Sequence, residues 1–502
     1  MDYDAIVIGA GMAGVTSAFE LAKNGHKVLM LESQPVPGGF ATTFKRKGFV
    51  FESSVHCVDA LGQEQDIREF LEDNGIAKAL EFIELDSFAR VIYPDYDVII
   101  TPEGNDFEEL LKKHFTAENR NIGRLFRKME RFDVQFNAFS HSNLPDLIKF
   151  IIAPFVYPDI VRTVNISAER FLAKFIDDKR VSSIIAEIWP FIGLPPSRVS
   201  ALYFLLVLRS YYFYKTAYVK GGFSRIFDVM VDKIRGFGSS VEFNSTVNRI
   251  NTNKRGSIKS VVTKDGVEYR AKAVISNANA PDTLTSFIDN QHLRHYYRQK
   301  LGMLEKSVSG LQVYLGLKVP AKELGMDNHT ISVNTSYDHD DNFRHSISGD
   351  YQRCPFSLID HAQIDPSLVP NGKGSLLIMV IDSYSNWKNM DTQSYRIKKE
   401  QVAMQLISRA EKYLPGLSAN IEVMEVATPI TMERFGNSPE GAIYGFAQTV
   451  KQSGINRLGQ KTKIKGLFLA GAWTVPGHGL HGCFISGLNA AELTQKYLKR
   501  LK

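Results

Sequence analysis

The sequence predicts an α/β protein in which a nucleotide-binding domain is interrupted by a second, α+β domain. Three observations predict it. A glycine-rich turn between two short, apolar strands opens the chain. A strand, a second glycine-rich turn and an apolar helix close it. The 502 residues exceed what one simple core accommodates.

The opening unit is the most informative. Asp4-Ala5-Ile6-Val7-Ile8 is a short apolar run of the kind buried in a parallel sheet. It meets Gly9-Ala10-Gly11-Met12-Ala13-Gly14, a GxGxxG. A helical pattern follows, with Val15, Ala18, Phe19, Leu21 and Ala22 as its apolar positions, and Asn24-Gly25 closes it. A second strand, Lys27 to Leu31, ends on Glu32. Gly9 permits the tight turn, Gly11 lets backbone approach a pyrophosphate, and Gly14 allows close packing of helix on strand. The helix N-terminus adds free N–H groups and partial positive charge. Glu32, 18 residues beyond Gly14, stands where a carboxylate accepts from ribose hydroxyls and repels a 2′-phosphate. A GxGxxG alone is a weak signal, but strand, helix and acidic residue all fall into place here.

The motif does not choose between dinucleotides; the next segment does. Ser33 to Thr43 carries the pair Gly38-Gly39, then Phe40-Ala41-Thr42-Thr43. It resembles the flavoprotein group that includes amine oxidases and phytoene desaturases, in which an E-x5-GG stretch wraps the FAD pyrophosphate a second time. Paired glycines bring further N–H groups close to phosphate; a plain surface turn is the alternative reading. At the far end, Ile464 to Ala472 reads as a strand entering a turn, and a helix is expected from near Cys483, with Ile485, Leu488, Ala491 and Leu493 apolar. This resembles the closing motif of the same families, whose terminal helix points its N-terminus at the flavin. The resemblance implies Gly38, Gly39, Thr42, Gly471, Ala472, Gly479 and Leu480 as cofactor-binding, beside Gly9, Gly11, Gly14 and Glu32. Gly477 to Gly482 also matches GxGxxG, but the chain ends before a partner acidic strand, so a second dinucleotide site is not expected.

The middle of the chain narrows the family. Tyr218 to Ile226 leads into a helix, Val241-Glu242-Phe243 and Val247 to Ile250 read as strands, a hairpin turns at Lys264-Asp265-Gly266, and Val274 to Ala278 is a further buried strand. Gly48-Phe49-Val50-Phe51-Glu52-Ser53-Ser54-Val55-His56 and Ala427-Thr428-Pro429-Ile430-Thr431 with Gly441 to Gly445 resemble elements of phytoene desaturases, carotenoid cis–trans isomerases and retinol saturases. That resemblance implies an FAD-binding Rossmann-like domain (1–90, 215–290 and 425–502) with a discontinuous α+β substrate domain (91–214 and 291–424). It also implies that Val247 holds the adenine edge through its backbone and that the Ser276-Asn277-Ala278 turn returns the chain to the nucleotide. Glu52 stands where the family carries aspartate, Ser54 where it carries glycine, and Phe40 where many relatives carry arginine.

The implied chemistry rests on the isoalloxazine ring rather than on a protein nucleophile. The expected activity is FAD-dependent desaturation or cis–trans isomerisation of a hydrophobic polyene or isoprenoid. Alternatives are a retinol-type saturase or polyunsaturated fatty acid isomerase, an amine oxidase, and a non-catalytic isoprenyl-binding protein. His56, His481 and Tyr444 are the acid–base candidates, with His478 and Glu433 beside them, because histidine titrates near neutral pH. Two apolar, aromatic stretches, Leu147 to Tyr157 and Leu202 to Tyr214, fit either a helical core or a lipid tunnel, and the first also fits a membrane interface.

Composition sets the remaining bounds. With 60 Lys and Arg against 54 Asp and Glu, the net charge is +6, and no basic run occurs, so a nucleic-acid partner is not expected. Cys57, Cys354 and Cys483 form no CxxC, so neither a disulfide framework nor a metal site is expected, and a cytoplasmic location fits. No signal peptide or stretch long enough to span a bilayer is read. Contact with a membrane surface stays open, and the electron acceptor is not specified.

Overall fold

A computed structural model describes residues 2–63, 65–101, 104–142, 144, 146–253 and 256–501, without the side chains at 104, 105, 146, 147 and 150. Met1, and the side chains of Leu147 and Phe150 in the first apolar stretch, therefore lie outside the described residues.

Asp2–Ile8 pairs in parallel with Val28–Leu31 on one side and Glu268–Ser276 on the other. Ala5, Ile6 and Val7 have no exposed surface, as expected of a strand covered on both faces. Ser240–Glu242 extends the sheet beyond Val28–Leu31. The long strand Glu268–Ser276 changes partner along its length. Its first half pairs antiparallel with Ile258–Thr263, and its last residues pair in parallel with Leu467–Leu469. Val247–Thr252 completes this seven-stranded sheet. The opening and closing motifs thus lie two strands apart, joined through Val274 to Ser276.

The helix Met12–Lys23, which links the first two strands, packs on the terminal helix Gly479–Lys499. That terminal helix begins four residues before the expected start near Cys483. The glycines there read as loop because glycine is a poor helix former. In a first turn, however, N–H groups have no intrahelical partner anyway.

A second sheet runs in the order Ile421–Ala427, Ser309–Leu317, Gly374–Asp382, Phe356–Ile359, Thr330–Val333, Ala89–Tyr93, Tyr96–Ile100. All its pairings are antiparallel except Thr330–Val333 with Ala89–Tyr93. Helices between 104 and 212 form one aromatic core with Ala89 to Ile100, around Trp189, Tyr212, Phe107, Phe126 and Phe204. Within the stretch Leu202 to Tyr214, Tyr203, Phe204, Leu205, Leu208 and Tyr212 are buried in that core. Helical packing accounts for most of the stretch. The helix Asp146–Val156 behaves differently: Ala153 is buried, but Ile151 is 64% and Phe155 86% exposed. Among the described residues, no helix is long and apolar enough to cross a membrane.

Candidate active site

A cavity of about 530 Å³ is lined by both sheets, a size suited to a cofactor or ligand site. One side is built from the opening turn, the Gly38-Gly39 segment, Val247, Asn277, Ala472, Gly479 and Leu480. The other side carries Phe191, Tyr211, Gly310, Met379, Ile381 and Ile443.

The nucleotide side is a cradle made by leaving side chains out. A Cβ on Gly11 would fall 2.9 Å from Asn277 Nδ2, and one on Gly14 would run into the Gly9 carbonyl oxygen. Gly38, at φ 117°, lies in the left-handed region that favours glycine. The helix Met12–Lys23 has no side-chain N-cap and no acid in its first turn, and neither has the helix Gly479–Lys499. Two helix N-termini with uncommitted N–H groups therefore serve one cavity, an arrangement that attracts anions. Glu32 is buried. Its Oε2 accepts from the Ala10 N–H at 2.6 Å, and its Oε1 accepts from the Gln34 N–H at 2.7 Å. These bonds fix the carboxylate at the end of the second strand. The donor set, the glycine cradle and the placed carboxylate fit the ADP half of FAD.

Behind the closing turn sits a residue for which the sequence gives no motif. Arg457 is buried, and its guanidinium donates to the carbonyls of Thr474, Phe446 and Ala472 at 2.9, 3.0 and 2.5 Å. Burial pulls its pKa down to about 10. It holds the turn that carries Ala472 and leads into the terminal helix.

The expected acid–base residues divide into two groups. His56, His478 and Tyr444 line the cavity. Burial, reinforced by His361 and His329, depresses His56 to about 3. Burial, reinforced by Arg457, does the same to His478. The His478 ring stacks on Tyr444 at 4.1 Å between centroids. Its Nε2 lies 3.1 Å from the Phe191 carbonyl oxygen. That oxygen can only accept, so Nε2 carries the proton and Nδ1 of the neutral ring presents a lone pair. Tyr444 donates to the Pro190 carbonyl at 3.0 Å, and burial raises its pKa.

His481 is elsewhere. In the first turn of the terminal helix it turns from the cavity and lies between Asp59, at 3.3 Å, and Asp66, at 2.8 Å. Burial disfavours its charge, but the bonds to both carboxylates prevail and lift it to about 9. Four further expected or weighed residues are off the cavity wall. Gly14 packs helix against turn, and Thr42 donates to the Gly39 carbonyl at 2.6 Å. Gly471 donates to Ser486 Oγ at 2.9 Å, and Glu433 accepts from Tyr384 at 2.7 Å. Asp59, Phe191 and Gln312 line the cavity without any motif that marks them in the sequence, and Tyr211, from the stretch Leu202 to Tyr214, lines it too.

Comparison with known proteins agrees with this geometry. The model of the family described as flavin containing amine oxidoreductase matches residues 12–494. Prolycopene isomerase 1 of an Oncidium hybrid cultivar is 26% identical over 513 aligned residues, covering 98% of this chain and 83% of that protein. A 4,4'-diapophytoene desaturase of Methylomonas is 26% identical over 510 residues, covering 99% and 96%. Among solved structures, an oxidoreductase from Methanosarcina mazei superposes with a TM-score of 0.64 at 18% identity, covering 98% of this chain and all of that one. The last likeness shows the fold.

Proposed function

Because the chain belongs to the flavin containing amine oxidoreductase family and is an FAD-dependent oxidoreductase, we propose that it acts on carbon–carbon bonds of a hydrophobic polyene or isoprenoid, by desaturation or cis–trans isomerisation. The observation that carries the substrate class is the cavity wall facing the cofactor cradle. Phe191, Tyr211, Gly310, Met379, Ile381 and Ile443 are apolar or aromatic, with Gln312 beside them. The acids that line the cavity are engaged, Asp59 by His481, Glu32 by two backbone N–H groups and Asp282 by Asn279. Such a wall suits a long apolar chain and offers no free anion to an amine. The names of the isomerase and desaturase relatives support the same class.

When bound, FAD supplies a two-electron acceptor that the protein does not have. The chain's own residues do the rest. Gly9, Gly11, Gly38, Gly39 and the N-terminus of the helix Met12–Lys23 would hold the pyrophosphate, with Asn277 packed beside Gly11. Glu32 would hold the ribose, and Val247 the adenine edge. Ala472, with Gly479 and Leu480 at the N-terminus of the terminal helix, would face the ring. The apolar wall excludes water and aligns the substrate, and neutral His56 and His478 accept or donate hydrogen bonds without bringing charge. The two sheets support a division into an FAD-binding domain (1–90, 215–290, 425–502) and a substrate domain (91–214, 291–424), except that the boundaries at 90/91 and 424/425 fall inside Ala89–Tyr93 and Ile421–Ala427, strands of the second sheet. Exposed Ile148, Ile151, Phe155 and Val156 support transient contact with a membrane interface, from which such a substrate would be drawn.

Anaerobic incubation of the FAD-loaded protein with carotenoids, retinoids, unsaturated fatty acids and amines tests the reading. Flavin bleaching with a newly conjugated product marks desaturation. Product without net bleaching marks isomerisation, and bleaching by amines alone sinks the proposal.

A further inference from the structure

We propose that Asp59 and His481 form a proton store for the cavity, with Asp66 as the positioning residue that keeps it loaded. The three side chains stand in file. Asp59 lines the cavity, its Oδ2 is 3.3 Å from His481 Nδ1, and His481 Nε2 is 2.8 Å from Asp66 Oδ2. Side-chain exposure rises along the file from 12% to 30% to 51%. One end therefore touches the reaction space and the other touches water.

Chemistry favours this use of the file over a plain clamp. A hydride brings its own hydrogen to a flavin, but electrons that arrive without one call for at least one proton from the protein per two electrons, and reoxidation returns it. Of the three expected histidines, His481, between two carboxylates, is the one that carries a second ring proton to lend; burial keeps His56 and His478 neutral, and the Tyr444 hydroxyl is committed to the Pro190 carbonyl. In the forward step the His481 Nδ1–H bond breaks as an O–H bond forms on Asp59 Oδ2, and that proton would pass to the flavin bound in the cavity as it is reduced. Burial raises the Asp59 carboxyl, but the bond and charge of His481 prevail and hold it low, so the protonated form is transient. His481 is left neutral, with its remaining proton on Nε2 directed at Asp66. The reverse step restores the imidazolium, so no net transport or ring flip is needed. The other groups facing this file are Tyr203, Arg209, Ser210 and Tyr211 on the helix Ala201–Tyr212, Cys57 two residues before Asp59, and His141 after the helix Asn119–Ser140. Arg209 is itself ion-paired with Asp133.

The inference rests on FAD occupying the cavity, so bound FAD is measured first; a wild-type protein that takes up none overturns the flavin assignment itself. In the loaded protein, electrons are injected by laser flash, and the appearance of the protonated, reduced flavin spectrum is timed across pH and in D2O. His481→Ala is expected to slow that protonation at least tenfold, with recovery on adding imidazole. Asp66→Asn, on the exposed end, is expected to keep FAD and to move the alkaline fall of the rate to lower pH, because one of the two carboxylates holding the imidazolium is gone. An unchanged rate in loaded His481→Ala, a slow rate that imidazole does not restore, or an unmoved pH profile in Asp66→Asn each overturns the store. If His481→Ala loses FAD, the Asp66→Asn profile decides alone.

Discussion

Gly487 offers the sharpest test of how the fold builds the cofactor site. It lies inside the terminal helix, facing Met12–Lys23, and a Cβ there would fall 2.6 Å from the Ala13 carbonyl oxygen, 2.9 Å from Thr16 Cβ and 3.0 Å from Ala13 Cα. Ordinary heavy-atom contact is roughly 3.5 Å, so Gly487→Ala must part the helices by something on the order of 1 Å. Two effects compete. Alanine gains about 1 kcal/mol of intrinsic helix propensity, while overpacking against backbone costs about 1–3 kcal/mol. The second wins, leaving a net loss of up to about 2 kcal/mol. The same shift draws two N-termini off the cofactor; one charge-assisted hydrogen bond lost is about 1.5–3 kcal/mol, or roughly 10- to 150-fold in FAD affinity. Urea unfolding of the apoprotein and quenching of FAD fluorescence on binding measure the two quantities. Gly236→Ala is the control, since nothing lies within 4 Å of a Cβ there, and it is expected to gain up to about 1 kcal/mol. A Gly487→Ala protein as stable as wild type, binding FAD as tightly, would refute the reasoning.

Three further outcomes follow from the same structure. Glu32→Ala removes the acceptor of the Ala10 and Gln34 N–H groups and the proposed ribose contact; FAD titration is expected to show a loss of about 10- to 100-fold. Arg457→Met leaves three carbonyls without their donor. At about 1–3 kcal/mol for each orphaned buried group, the unfolding midpoint should drop steeply and FAD should be lost on gel filtration; retention of both contradicts the role given to Arg457. Glu52 is buried, and burial outweighs its bonds from Tyr218 and Phe223, raising it from 4.5 to about 8. The unfolded chain then ionises first as pH rises, so the Glu52 contribution is complete below about pH 4.5 and is lost progressively up to about pH 8. Glu52→Gln should flatten that decline in denaturant unfolding, and a wild-type stability that rises over this interval with no change in the variant contradicts the assignment.

What was legible in the sequence shares one physical character. Gly9, Gly11 and Gly14 are fixed by backbone geometry over a handful of residues, and so are Gly38-Gly39 and the carboxylate of Glu32; local sequence records local constraint. The alternation of strands and turns between Val247 and Ser276 was equally readable. The unread residues depend on partners far along the chain. Asp59 gains its role from His481, 422 positions away, and Arg457 from carbonyls it meets only once the closing turn has formed. The spacing of Gly487, Ala490, Ala491 and Thr494, all buried, could have marked a close helix contact, but not which helix. The aromatic stretch around Tyr212 stayed ambiguous for the converse reason: apolar periodicity does not distinguish a core from a tunnel, and the structure buries Phe204 and Leu208 in the core while Tyr211 lines the cavity.

The histidines then show why residue type alone could not assign the chemistry. His56 and His478 line the cavity and His481 stands behind its wall; the three have the same side chain, yet their surroundings set them apart. His56 and His478 are enclosed with no carboxylate against them among the described residues, so desolvation rules and both stay neutral through the physiological range. His481 is enclosed as well, but two carboxylates reverse the balance. A substrate of apolar carbon needs water excluded and charge kept off the cavity wall, which the first pair provides. A redox cofactor needs a proton within reach and off the substrate's path, which the third can provide only from behind Asp59. The separation of those two demands, wall from reservoir, follows from where the carboxylates lie, and a sequence holding the same three histidines without Asp59 and Asp66 would lack it.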